Sequence, residues 1–370
     1  MKVGTVKEIK RYEYRVGLTP SNVKEYVSHG HQVYVQAGAG AGASFSSEEY
    51  AAAGAVILST AKEVWATCDM VIKVKEPLPD EYPLMQENQI VYTYLHLAAS
   101  RELTEAMLAS KCKGVAYETI EDATGGLPLL RPMSEIAGKL SIQAGARCLE
   151  KPMGGRGVLL GGAVGVKKAE CIIIGAGVVG TAALKMAVGL GANVTILDKS
   201  IDRLAYLDDV FGSRIQTLYS TSAAIDEILP TADLVVGAVL IPGAKAPKLI
   251  RRHHLKAMKP GAVIVDVAVD QGGCCETTTP TYHDAPTFVV DDIVHYCVAN
   301  MPGAVSQTST SALTNATLDY GIKIANLGLE GAIANDEGLK LGVNCYQGRL
   351  TCKEVAEAFD MDYTSLVSLI

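Results

Sequence analysis

Residues 169–198 read AECIIIGAGVVGTAALKMAVGLGANVTILD, and no other stretch restricts the fold of this chain as strongly. An apolar run at 171–174 ends in a glycine turn, Gly175-Ala176-Gly177-Val178-Val179-Gly180. A helical pattern follows, then a second apolar run at 193–197, closed by Asp198. Strand, turn, helix, strand and acid within about 30 residues predict a βαβ unit. In such a unit Gly175 permits the tight turn, Gly177 lets backbone come close to a pyrophosphate, and Gly180 lets the helix lie against the sheet. The helix N-terminus offers free N–H groups and a positive dipole end to phosphate. Asp198, 23 residues after Gly175, stands where a carboxylate accepts from an adenosine ribose 2′-hydroxyl. The flanks thus point to a bound dinucleotide, against the alternative of a βαβ turn that binds nothing. Asp198 favours NAD over NADP, because a 2′-phosphate would meet a like charge; Lys199 and Arg203 temper that preference.

At 370 residues the chain is long enough for two domains, and an apolar fraction of 49% supplies two cores. The formal charge is −7, so no basic patch invites nucleic acid. Nine cysteines lie scattered with no CxxC pair and read as small buried hydrophobes of a reduced, cytoplasmic protein. The adjacent Cys274 and Cys275 read as structural, and the His253-His254 pair reads as an exposed helix face. No HxxxH or HExxH spacing occurs, so no catalytic metal is expected. The N-terminus is charged, and the longest apolar region, 157–180, is broken by Lys167, Lys168 and Glu170. Neither a signal core nor a membrane span is expected.

Short apolar runs at 3–6, 32–35, 70–74, 90–94 and 114–116 alternate with helical patterns near 20–29, 47–53, 60–67 and 100–110. A second series of strands is predicted at 171–174, 193–197, 214–218, 233–238, 262–267 and 287–290. A helix is predicted over 134–150, with Ser134-Glu135 as its cap, and another over 306–327; the rest of the tail reads as helical and polar. Such alternation indicates an α/β fold: two Rossmann-like doubly wound domains, parallel sheets flanked by helices, with a cleft between them. The expected division is a discontinuous substrate and catalytic domain, 1–128 plus 306–370, and a nucleotide-binding Rossmann domain, 129–305.

Open parallel sheets bind ligands beyond the carboxyl ends of their strands. That rule selects Arg15 after the first strand, Lys75 after 70–74, His96 after 90–94 and Asp270 after 262–267. Hydride transfer needs a cationic clamp for an anionic substrate, which Arg15 and Lys75 can supply. It needs an acid–base group that works near neutral pH, for which His96 is suited. Asp270 can orient water or ammonia, or hold the nicotinamide ribose. Each has a structural alternative: a surface pair of Arg15 with Glu8 or Glu13, a solvated Lys75, a core histidine at His96, and a turn-shaping Asp270.

Several long segments resemble one known family. They are KEIKRYEYRVGLTP at 7–20, VIKVKEPLP at 71–79, TYLHLA at 93–98, RPMSEIAGKLSIQAGARCLE at 131–150, GGRGVLLGG at 154–162, the glycine-turn segment at 172–198, VDVAVDQGG at 265–273 and VANMPGAV at 298–305. Over essentially its whole length the chain resembles the family shared by L-alanine dehydrogenases and the NAD-binding subunit of proton-translocating transhydrogenase. The resemblance implies NAD-dependent, reversible conversion of L-alanine to pyruvate and ammonium, in a cytoplasmic homohexamer. It implies that Arg15 and Lys75 bind the substrate carboxylate and carbonyl and that His96 and Asp270 are the catalytic pair. It implies cofactor contacts from Ser134, Val178, Val179, Asp198, Arg203 and Ser220, and from Val239, Leu240, Val267, Ala268, Val269, Asp270, Val298, Ala299, Asn300 and Met301. Relatives commonly carry asparagine at the positions of Tyr12 and Tyr14, and some carry arginine at Thr279. The rival activities are a 2-hydroxy-acid dehydrogenase, and a transhydrogenase subunit that carries NAD without a substrate of its own.

Overall fold

The computed structural model describes residues 1–239 and 246–370. The chain forms two compact units, one of Met1–Met133 with Gly303–Ile370, the other of Ser134–Pro302.

The first unit is built on β1 (Lys2–Thr5), β2 (Gln32–Gln36), β3 (Val56–Leu58), β4 (Met70–Ile72), β5 (Ile90–Thr93) and β6 (Lys113–Ala116). They pair in parallel in the order β3-β2-β1-β4-β5-β6, so the direction of winding reverses between β1 and β4. β4 and β5 are buried along their whole length, which is why they read as unbroken apolar runs. The helices Pro20–Ser28, Ser47–Ala52 and Ala61–Thr67 each open on a capping box, Thr19 with Asn22, Ser46 with Glu49 and Thr60 with Glu63. The long helix Ser306–Ile333 changes direction at Gly328, whose φ is 71°.

The tail departs from the expected helical reading. Residues Val343–Tyr346 form a strand antiparallel to β6, and Arg349–Leu350 form a second strand antiparallel to the first, so a hairpin extends this sheet. Gln347 and Gly348 both take positive φ, the geometry of a two-residue hairpin turn. The four residues of the first of these strands are all buried, so no alternation marked it as a strand.

The second unit holds β7 (Glu170–Ile174), β8 (Asn193–Asp198), β9 (Ile215–Tyr219), β10 (Leu234–Gly237), β11 (Val263–Asp266), β12 (Thr287–Val290) and β13 (Ile293–Tyr296). Their order is β12-β13-β11-β10-β7-β8-β9, all parallel except the edge strand β12. The sequence reading missed β13, which follows β12 through Asp291 and Asp292, both at positive φ. Two apolar layers cover the sheet, one around Ile142, Leu184 and Phe211, the other around Ile225, Leu229 and Met258. The helix expected over 134–150 begins at Arg131, so Ser134 lies inside its first turns and is not the cap. Pro132, with its preset φ and missing N–H, suits the second position of a helix and accounts for the earlier start. Among the described residues no helix is long and apolar enough to cross a membrane.

Candidate functional site

In the first unit the adjacent carboxyl ends of β1, β4 and β5 lead into Arg15, Lys75 and His96, on both sides of the point where the winding reverses. Arg15 is 3% exposed, so its ion pair is a buried one. Its Nε and Nη2 donate to the two carboxylate oxygens of Glu13 at 2.7 and 2.6 Å, and its backbone N–H donates to Glu13 Oε1 at 3.1 Å. Nη1 reaches Met133 Sδ at 2.9 Å. Burial raises the Glu13 carboxyl, but the Arg15 guanidinium outweighs it and brings the group down to about 2. Lys75 is half-buried. Burial first, then the charges of Arg15 and Lys10, push its ammonium down. Glu76 and Glu13 oppose the shift without reversing it, and a lysine held beside an arginine in this way is a candidate site for an anion.

His96 is not a core histidine: its side chain is 42% exposed. Its ring stacks on Tyr94, with centroids 5.8 Å apart and planes 7° from parallel. Burial of its flanks pushes its pKa down, Glu118 opposes this, and Lys75 adds to it. Arg15, Lys75 and His96 therefore share one electrostatic neighbourhood.

Behind them lies a charged triad that the sequence reading did not find. Lys73 is fully buried, with Nζ 3.1 Å from Glu8 and 2.9 Å from Glu81. Glu8 also accepts the backbone N–H groups of Val74 and Lys75, at 2.7 and 3.3 Å, as the chain leaves β4. Burial would lower the Lys73 ammonium, but the two carboxylates raise it; burial pushes the Glu8 carboxyl up. Lys73→Met leaves two enclosed carboxylates without a cation, an expected loss of about 3–5 kcal/mol. A carboxyl whose folded pKa is raised contributes stability below its unfolded pKa and loses it as pH rises, so the deficit should be larger at pH 8 than at pH 5. Urea midpoints at the two pH values check this; equal deficits would mean that the carboxylates remain paired.

In the second unit the glycine turn follows β7. Gly175 has φ 105°, and a Cβ there would lie 2.7 Å from Ala238 O. A Cβ on Gly180 would lie 1.7 Å from Gly175 O. On Gly177 it would meet nothing within 4 Å among the described residues. The helix Val178–Gly189 starts there with no side-chain cap. Two glycines thus serve packing, while the third faces open space in front of uncapped N–H groups, which fits a pyrophosphate. Asp198 at the end of β8 accepts from Ala176 N–H at 2.6 Å and Ser200 N–H at 2.8 Å. Each of its oxygens keeps a lone pair for a ribose hydroxyl.

Arg203 lies over the turn: Nε donates to Ala176 O at 2.8 Å and Nη2 to Thr181 Oγ1 at 2.7 Å. Ser220, after β9, donates its N–H to Asp198 O at 2.9 Å and lines a cavity of about 630 Å³ with Lys199, Leu249 and Arg251. Val239 and Val267 follow the neighbouring strands β10 and β11; Ala268, Val269, Val298 and Met301 are buried, and Ala299 and Asn300 half-buried. Leu240 lies outside the described residues. Ser134 stands one turn before Gly138, whose absent Cβ would meet Val179 O at 2.2 Å, so this helix face packs against the start of the helix after the turn. Asp270 is exposed on the turn Val269–Gln271, ahead of the left-handed Gly272 and Gly273.

Two further findings were not legible. Asp266, buried at the end of β11, accepts from the backbone N–H groups of Ala268, Cys274 and Cys275 and from Thr278 Oγ1, and so folds the loop that carries Asp270. His254 is buried rather than on an exposed face. Its Nδ1 accepts from Arg251 N–H at 2.9 Å, so Nε2 carries the proton and donates to Asp226 at 2.6 Å. His253 Nε2 lies 3.9 Å from the same Asp226 oxygen, and the protonated Nε2 of His254 offers no lone pair to a metal.

Two doubly wound sheets, one with an open, uncapped glycine turn at its centre, define a Rossmann-like nucleotide-binding α/β protein. Residues 4–137 match the model for the N-terminal domain of alanine dehydrogenase/PNT, and residues 141–353 match that for the C-terminal domain. The chain belongs to the alanine dehydrogenase/PNT family. It is 53% identical over 370 residues to alanine dehydrogenase of Halomonas elongata, covering 100% of both chains. It is 55% identical over 365 residues to that of Methanococcus maripaludis, covering 98% of each. A solved L-alanine dehydrogenase superposes with a TM-score of 0.95 at 53% identity, over 97% of this chain and 99% of that one. A transhydrogenase from Sinorhizobium meliloti, 23% identical, shares the fold with a TM-score of 0.81 over 95% of this chain and 99% of that one.

Proposed function

We propose that this chain is an NAD-dependent oxidoreductase that converts L-alanine reversibly to pyruvate and ammonium. The observation that carries the reading is the trio of Arg15, Lys75 and His96 at three adjacent strand ends, in a chain more than half identical along its length to proteins named alanine dehydrogenase. Residues 1–128 and 306–370 are the substrate domain and 129–305 the NAD domain; the enzyme works in the cytoplasm as a homohexamer.

Bound NAD supplies the hydride acceptor for the alanine Cα. The Gly177 turn and the N–H groups of Val178 and Val179 would hold its pyrophosphate, and Asp198 would hold the adenosine ribose. Arg203 and Ser220 would border the adenosine, Ser134 would add a hydroxyl, and Val239 with residues 267–270 and 298–301 would face the nicotinamide half. Arg15 binds the substrate carboxylate with a guanidinium whose orientation Glu13 sets. Lys75 binds the carbonyl oxygen of pyruvate and draws electron density from its carbon. His96 donates a proton to that oxygen in amination and removes one in deamination. Asp270 takes the proton released as ammonia adds.

NADH oxidation with pyruvate tests the reading: it should require ammonium. Oxidation of NADH by pyruvate without ammonium would indicate a 2-hydroxy-acid dehydrogenase. NADH binding without turnover of any 2-oxo acid would indicate a carrier of the transhydrogenase kind.

A further inference from the structure

His96 has φ 48° and ψ 39°, the left-handed region that few non-glycine residues adopt. Its backbone is hydrogen-bonded by Glu118, in the turn Tyr117–Thr119 that follows β6. Glu118 Oε1 accepts from His96 N–H at 2.5 Å and Leu95 N–H at 3.1 Å, and Oε2 accepts from Leu95 N–H at 3.2 Å. Oε1 also lies 3.8 Å from His96 Nδ1. The arrangement recurs: Arg15 gives its backbone N–H to Glu13, and Lys75 gives its own to Glu8. All three substrate-side residues are thus tied at the main chain to a glutamate.

We propose that Glu118 is the positioning residue of His96: its carboxylate holds the left-handed backbone that turns the imidazole outward, and its charge, 3.8 Å from Nδ1, favours the protonated ring. The inference rests on the acid–base role proposed for His96. The charged groups facing the ring are Glu118 beyond β6, Lys75 and Glu76 beyond β4, and Lys10 beyond β1. Lys10 and Glu76 pair with each other and largely offset one another at the ring. Glu118 is therefore the main opponent of the burial and of the Lys75 charge that push the imidazole down.

Glu118→Gln keeps the shape and an acceptor oxygen but removes the charge. Both the acid limb of alanine deamination and the alkaline limb of pyruvate amination should move to lower pH by about one unit, the effect of losing an opposite charge at this range. NADH affinity should stay unchanged. A merely structural role would lower kcat at every pH and leave the limbs in place, and that result overturns the proposal. The imidazole resonance of His96 in protein labelled with 13C-histidine, assigned with His96→Gln, gives a second readout that needs no turnover. Its midpoint should fall in Glu118→Gln; an unmoved midpoint overturns the proposal even if the activity is as expected. Wild-type protein that binds NADH but does not turn over alanine would count against the function, while the resonance still decides the role of Glu118. Should Glu118→Gln fail to fold, Glu118→Asp, whose shorter side chain draws the charge back, must lower the midpoint in the same direction.

Discussion

Replacing His96 with alanine should lower kcat for alanine deamination by about 10²–10⁴-fold, the usual contribution of a placed acid–base group. That corresponds to about 3–5 kcal/mol of barrier. The fold should tolerate the change, because an imidazole 42% open to solvent leaves no enclosed cavity when it is removed. The melting temperature should therefore stay close to the wild type. NADH should bind with unchanged affinity, since the glycine turn belongs to the other unit. Asp270→Ala, also at an exposed position, should lose turnover on the same scale, with the melting temperature held. Stopped-flow turnover together with a fluorescence titration of NADH separates the two effects. Full activity in either variant would remove that residue from the chemistry.

Gly180→Ala should have an effect of similar size on stability and binding together. The new methyl would lie 1.7 Å from the carbonyl oxygen of Gly175 and 2.8 Å from its carbon. Both atoms are backbone, so no rotamer change relieves the contact, and the helix must lift from the sheet. The expected cost is about 3 kcal/mol or more, at the upper end of overpacking. NADH binding should be lost with it, because the turn that faces the phosphates is the part displaced. Gly177→Ala is the contrast. Its methyl meets nothing, and its φ of −67° suits alanine, so the melting temperature should hold. The methyl would occupy the space into which the pyrophosphate comes, and the dissociation constant for NADH should rise by about tenfold or more, at least about 1.4 kcal/mol. Wild-type affinity in Gly177→Ala would mean that the phosphates lie elsewhere.

The glycine turn was legible because its demands are local. The reasons for Gly175, Gly177 and Gly180 lie within the strand, turn and helix that carry them, apart from the Ala238 carbonyl beside Gly175. The strands that lead into Arg15, Lys75 and His96 were legible for the same reason: continuous apolar runs stop where central parallel strands stop. β13 and the strand Val343–Tyr346 were missed because His295 and Asn344, both buried, interrupt the apolar run and leave neither a continuous stretch nor an alternation to read. The start of the helix at Arg131 was missed because Ser134-Glu135 imitates a cap that Pro132 makes unnecessary.

By itself the sequence determined the α/β class, the nucleotide-binding turn and which polar side chains stand at the ends of strands. These follow from steric and periodic rules that act over a few residues. Only the tertiary structure decided which charges are enclosed. Glu8 reaches the N–H of Val74 66 residues away, and Glu118 reaches that of His96 22 residues back. A glutamate in a loop reads as solvated until distant strands close around it, because the cost of burying a charge is set by the neighbours that enclose it and not by the residues beside it in the chain.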